Sequence, residues 1–351
     1  MVRTYASLGF VLAAGAIALP GQSLVMSVPR QSQRASVSQR VALTDITMTY
    51  HRPLAGGRKI WDGIAPYGQV WRAGANENTT FEVSDPVVVE GKALAKGIYG
   101  LHMIPSSDSW IVIFSKNATS WGSFSYRQDE DALRVTVKPQ AGEMHEALTY
   151  TFDDVKPDST ALTLRWGNLA VPFTIKVDPE VTVANIRSQL RNSAQYIWTG
   201  WDDAATWCVD SKVNLEEALK WSERSIQMEE RFENLMTRSR IQDELKRTTE
   251  AAATRSKAME IGNAQQVYFY GRQLQSAKKK AEAISVYRSV AKRFPEHWLG
   301  HLAKARVAVA DGDFAAAMKE MAAAQSGAPE VQKVPLEGLK NRVERKEDIN
   351  G

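Results

Sequence analysis

The sequence predicts a multidomain β + α protein: an N-terminal antiparallel β-sandwich or barrel, then a C-terminal α-helical repeat array. Three observations carry this. Short apolar/polar alternations separated by turn signals run up to Val177. The hydrophobic period changes from 2 to about 3.6 beyond Asp178-Pro179. Small residues then recur at intervals close to 34 positions, as Ala218, Ala252, Ala283 and Ala317.

The elements follow in order. Arg3 precedes an apolar run, Leu8–Leu19, which is too short to cross a bilayer alone, since a span takes about 20 residues. Residues 1–23 are therefore expected to be an export signal, cleaved between Leu19 and Met26, with an uncleaved anchor as the alternative. Cleavage would leave no integral membrane segment and a periplasmic or extracellular protein. Residues 24–36, rich in Ser, Gln and Arg, read as a mobile linker. The β domain is expected over 37–178. Ile46, Met48 and Tyr50 alternate with threonines, and His51-Arg52-Pro53 ends that strand. Thr80–Val83, Val87–Val89, Ile98–Ile104 and Trp110–Phe114 follow, the last apolar at every position and hence buried on both faces. Alternating sets at 133–137, 148–152, 162–166 and 171–177 complete the strands.

The helical repeat domain is expected over 183–330. Its clearest unit places Gly271, Leu274, Ala283, Tyr287 and Pro295 at the small, large, small, aromatic and proline positions of a tetratricopeptide repeat, which it resembles. Asn214 reads as a helix cap and Gly312-Asp313 as a turn. Residues 331–351 read as a charged C-terminal tail that can close the stack.

The long connection of 54–78 holds Pro66-Tyr67-Gly68-Gln69-Val70-Trp71-Arg72-Ala73-Gly74-Ala75-Asn76-Glu77. With Arg52-Pro53, Gly57-Arg58, Gly97-Ile98-Tyr99, Trp121-Gly122 and Val171-Pro172-Phe173, this run resembles a bacterial family of exported proteins, the domain of unknown function number 2911. The resemblance covers roughly residues 36–178. It implies a fold unit and an exported location, and no reaction.

Composition narrows the function. The net charge is +4 in 351 residues, with Lys and Arg interspersed among Asp and Glu, which gives no reason to expect a nucleic-acid partner. Cys208 stands alone, so neither an intramolecular disulfide nor a cysteine zinc site is possible; it reads as a buried small hydrophobe. Of five histidines only His297 and His301 have helical i, i+4 spacing, without the intervening Glu of a metalloprotease motif. His51, His102 and His145 fall near strand ends or inside strands. Neither a GxSxG elbow nor a phosphate loop is present. No catalytic residue, metal or cofactor is expected.

The remaining candidates are Arg52, Arg58, Tyr67, Trp71, Arg72, Asn76 and Glu77. Guanidinium groups suit anions, and aromatic faces beside a carboxylate suit a glycan. The competing reading is structural: Arg72 paired with Glu77, and tryptophans plugging the end of the fold. The first functional expectation is a non-enzymatic interaction or scaffold protein that holds a peptide or protein partner in its helical repeats. The alternative is a small-ligand binding module, or a hydrolase, with its site around Arg58, Trp71, Arg72 and Glu77.

Overall fold

The computed structural model describes residues 29–351, and the chain divides into two compact units between Val177 and Asp178. The expected export signal, residues 1–23, lies outside the described residues.

The first unit is all antiparallel. Its six-stranded sheet has the order β1 (Gln33–Val41), β2 (Thr44–Arg52), β3 (Thr79–Val83), β6 (Gly97–Ile104), β7 (Trp110–Ser115), β8 (Asp131–Val137). A four-stranded sheet has the order β5 (Lys92–Leu94), β4 (Val87–Val89), β10 (Ser159–Lys176), β9 (Gln140–Asp153). The two sheets share no strand, which makes the unit a sandwich rather than a barrel. Alternate residues of each strand meet between the layers. Phe81 and Phe114 of one sheet lie 6.5 and 5.9 Å from the ring of Phe173 in the other. The Tyr50 and Tyr150 rings are 4.8 Å apart, and the Tyr150 amide donates to the Tyr50 hydroxyl. Ile46, Met48, Phe81, Leu101, Leu162 and Leu164 are fully buried, each worth about 1.5–3 kcal/mol.

Three sequence expectations need correction here. The linker reading of 24–36 fails at its end, because Gln33–Ser36 open β1, with Ser36 facing Thr49 and Ser38 facing Thr47 across the ladder. The alternations at 162–166 and 171–177 belong to one 18-residue strand, β10, bent at Gly167 where φ is +56° and the register with β9 shifts. The Asp178-Pro179 boundary is itself a helix start: Asp178 Oδ1 accepts from the Glu180 amide, and Pro179 takes the first helical position.

The second unit is helical. It comprises α1 (Pro179–Gln189), α2 (Trp198–Ser211), α3 (Leu215–Met228), α4 (Phe232–Glu244), α5 (Thr248–Ile261), α6 (Ala264–Ser276), α7 (Lys280–Arg293), α8 (Trp298–Ala310), α9 (Phe314–Gly327) and α10 (Glu330–Glu344). Antiparallel pairs α2/α3, α4/α5, α6/α7 and α8/α9 stack in sequence. Ala218, Ala283 and Ala317 are buried where the helices approach, as expected. Ala252 is exposed; Ala251 takes the place instead, 32 positions before Ala283. Gly271 of α6 faces Tyr287 of α7 so closely that a Cβ would sit 2.6 Å from the ring. Asn214 precedes α3, but its side chain donates to Glu217 Oε2 at 2.7 Å instead of capping a backbone amide.

The tail expected over 331–351 is mostly α10, with Leu336 and Val343 buried in the core. Beyond it, Arg306 of α8, only 1% exposed, donates to the Ile349 carbonyl and to Tyr268 Oη at 2.7 Å, while Asn350 Nδ2 donates back to the Arg306 carbonyl. Among the described residues no helix is long and apolar enough to cross a membrane.

Candidate functional site

The connection between β2 and β3 lies against the sandwich. Trp71 makes an antiparallel bridge with Met103, its amide donating and its carbonyl accepting at 2.8 Å. Its ring stacks on Trp166 of β10 at 6.0 Å, while Trp61 sits edge-on to Trp71, Trp110 and Trp166 at 4.9–6.2 Å. Trp110 and Trp166 come from opposite sheets, so the connection closes the gap between the layers with aromatic surface. Trp71 is 7% exposed and packs within this aromatic cluster.

The other candidates separate. Arg52 clamps β2 to β9 through the Leu148 carbonyl at 3.0 Å and Thr149 Oγ1 at 2.7 Å. Arg58 holds its own turn through the Ala55 and Leu54 carbonyls, yet also lines a cavity of about 460 Å³ with Trp61, Met144 and Gly167. Tyr67 is exposed on the surface.

Arg72 and Glu77 are not a pair. Asn76, at φ +57°, turns the chain so that its carbonyl, not the Glu77 carboxylate, receives Arg72 Nη1 at 2.6 Å. The guanidinium then lies 5.6 Å from the Phe124 ring centroid and against Gly122, and burial lowers its pKa. Asn76 Nδ2 donates to the Ser32 carbonyl. Glu77 Oε1 accepts from Arg30 at 2.5 Å, and Oε2 lies 3.2 Å from His51 Nε2. Desolvation pushes the Glu77 pKa up, but its own amide, Arg30 and His51 outweigh it and hold the pKa low. Burial depresses the His51 pKa despite Glu77. Two buried polar atoms of this neighbourhood, His51 Nδ1 and Asn78 Oδ1, have no hydrogen-bond partner, and Glu77 Oε2 has only its contact with His51.

The histidines do not converge on a metal. His102 Nδ1 meets Ser123 Oγ at 2.8 Å, and burial drives its pKa down to about 4. His297 Nδ1 caps α8 through the Leu299 amide, and His301 Nδ1 lies 2.7 Å from Glu320 Oε2. Among the described residues no group of three or more His, Cys, Asp or Glu side chains is arranged to hold a metal ion. Cys208 is fully buried, and burial pushes its thiol up to about 11.

A further cavity lies in the helical unit and went unread in the sequence. A groove of about 860 Å³ is walled by the first helix of three successive pairs: Asp202, Asp203 and Thr206 of α2, Met236, Thr237 and Arg240 of α4, and Phe269, Tyr270 and Gln273 of α6. These are equivalent positions, spaced by 34 and then 33 residues. That shared spacing was the signal that could have found the groove. Phe269 is 51% exposed within it, and Phe232 adds further apolar wall.

Residues 32–175 match the family model described as "Protein of unknown function (DUF2911)". The match spans the sandwich, and the helical array follows it. Among solved structures the chain is similar to YrrB, described as a TPR protein with an unusual peptide-binding site. The two share 12% identity over 46% of this chain and 84% of that one, with a TM-score of 0.28. Comparison with curated proteins gives no match.

Proposed function

We propose that the protein is a binding scaffold whose helical unit holds an extended segment of a partner protein. The observation that carries this is the groove: one face of α2, α4 and α6, presented by equivalent positions of stacked pairs, with an exposed Phe269 among polar groups. A concave surface of this kind suits a peptide, which meets one repeat after another. The test is binding of the full chain to an array of unbiased decapeptides, repeated with Met236→Asp and Phe269→Asp. Both variants are expected to lose binding while unfolding at an unchanged temperature. Undiminished binding in both would overturn the proposal.

We propose further that the chain acts outside the cytoplasm, on the strength of Arg3 and the Leu8–Leu19 run. N-terminal sequencing should place the mature start between Leu19 and Met26; an intact Met1 on native protein contradicts this.

A second reading belongs to the sandwich. The unpartnered His51 Nδ1 and Asn78 Oδ1, beside the Glu77 carboxylate, favour a small polar ligand there. If such a ligand binds, Glu77→Gln removes it from the native protein without loss of stability.

A further inference from the structure

The groove is unevenly charged. Toward α6 and α7 Arg255 pairs with Asp243, and Lys279 with Glu282 at 3.4 Å. Glu244 meets Lys212 at 3.4 Å, Arg240 pairs with Asp210, and Lys246 just after α4 is in no ion pair among the described residues. At the α2–α4 end stand Asp202, Asp203 and Glu233, and none of them takes part in an ion pair among the described residues. Glu233 Oε1 accepts only from the neutral Gln266 amide, at 2.7 Å.

Asp202 distinguishes this end from an ordinary acidic surface. It is 8% exposed, it lines the groove, and its Oδ1 is buried without a hydrogen-bond partner. The Thr237 hydroxyl reaches the same carboxyl. Buried carboxylate oxygens are otherwise satisfied by donors, so an orphan in a cavity wall marks a place for a donor from outside. Asp203 and Glu233 beside Asp202, neither in an ion pair among the described residues, favour a positive donor over a neutral one, although Arg240 also lines the groove and is held by Asp210.

The geometry points to a cationic anchor: we infer that the bound segment places a protonated Lys or Arg side chain on the Asp202 carboxyl, with Asp203 and Glu233 beside it. This rests on the reading of the groove as a peptide site. Phe232 and Met236 offer apolar surface for the aliphatic stem, as long basic side chains commonly require. The charge also sets a pH dependence. Burial raises the Asp202 pKa to about 6; Thr237 opposes, Asp203 and Glu233 add to the rise, and Arg240 opposes. A bound cation favours the ionised carboxyl, so binding expels a proton and weakens as pH falls below about 6.

The probes are decapeptides of Ser, Ala and Phe with one central Lys, Arg, acetyl-lysine or Glu, titrated into the full chain by fluorescence anisotropy. The Lys and Arg peptides are expected to bind about tenfold or more tighter than acetyl-lysine, the value of one charge-assisted hydrogen bond. The Glu peptide is expected to bind weakest. Asp202→Asn should erase this preference, bringing the Lys, Arg and acetyl-lysine peptides to within about twofold of one another. In the wild-type chain the Asp202 carboxyl carbon resonance should titrate near pH 6 alone and lower with saturating Lys peptide, a readout that needs no variant. Equal binding of the Lys and acetyl-lysine peptides, both lost in Phe269→Asp, overturns the cationic anchor and leaves the groove reading standing. Absence of binding by every probe, or binding indifferent to Phe269→Asp, overturns both.

Discussion

Replacing Gly271 by Ala sets helix propensity against packing. Gly271 lies in the interior of α6, where Ala is favoured by roughly 0.5–1 kcal/mol. Its added Cβ would meet Tyr287 Cε1, Cδ1 and Cζ at 2.6, 3.0 and 3.2 Å. The ring has no retreat. Tyr287 is fully buried, its hydroxyl donates to Gln275 Oε1 at 3.0 Å, and Tyr268 and Arg306 lie 5.3 and 5.4 Å away. Overpacking a tight site costs about 1–3 kcal/mol. The packing penalty wins, for a net loss of about 1–2 kcal/mol, or several degrees at about 2–4 °C per kcal/mol. Gly338 in α10 is the internal control, because a Cβ there meets nothing within 4 Å. Gly338→Ala should therefore stabilise by up to about 1 kcal/mol. The assay is thermal unfolding of both variants. If Gly271→Ala raises the melting temperature as Gly338→Ala does, the close approach of α6 and α7 is misassigned.

Other perturbations separate further parts of the fold. An Arg72→Ala/Glu77→Ala cycle should be additive within about 0.5 kcal/mol, since the two side chains use different partners; a coupling of 1 kcal/mol or more restores them as a pair. Glu77→Ala alone should cost no more than about 1 kcal/mol, because Arg30 and Glu77 are both half exposed. One buried group in each unit should respond oppositely to acid. Asp202 holds its proton more tightly folded, about 6, than unfolded, so the helical unit loses about 3 kcal/mol as pH rises from about 4 to 6. His102 binds its proton less tightly folded, about 4, so the sandwich loses a similar amount, about 3 kcal/mol, as pH falls from about 6.5 to 4. Hydrogen exchange resolved by segment, comparing Asp202→Asn and His102→Gln with the wild-type chain, measures each contribution; a pH slope unchanged by either substitution contradicts that assignment.

Strands with one wet and one dry face were legible because alternation reports burial directly, as in Ile46, Met48 and Tyr50. β1 was not, since it is an edge strand whose opening residues Gln33–Ser36 look like linker and whose pairing with β2 rests on backbone and hydroxyl bonds. α10 was obscured by an interior Pro335 and by dense Lys and Glu. The repeat register slipped by one at Ala252 because Ala251, Ala252 and Ala253 run together, and residue type alone does not say which of them faces the neighbouring helix. Around the motif, sequence proximity suggested Arg72 with Glu77, but the left-handed Asn76 between them gives each a different neighbour. The groove depends on positions in three helices, and a reading that aligned only the buried alanines passed over the wet face that recurs with them.

The most direct measurement is photo-crosslinking of the native full chain in its own cells. A photoreactive residue is placed at Asp203, Met236 or Gln273 in the groove, and at Glu223 or Lys257 on the second helices α3 and α5. A groove-bound partner predicts one crosslinked species shared by the three groove positions and missing from the other two. The same species captured equally from α3 and α5, or captured only from positions beside Arg58 and Trp61 in the sandwich, contradicts a partner held in the helical groove.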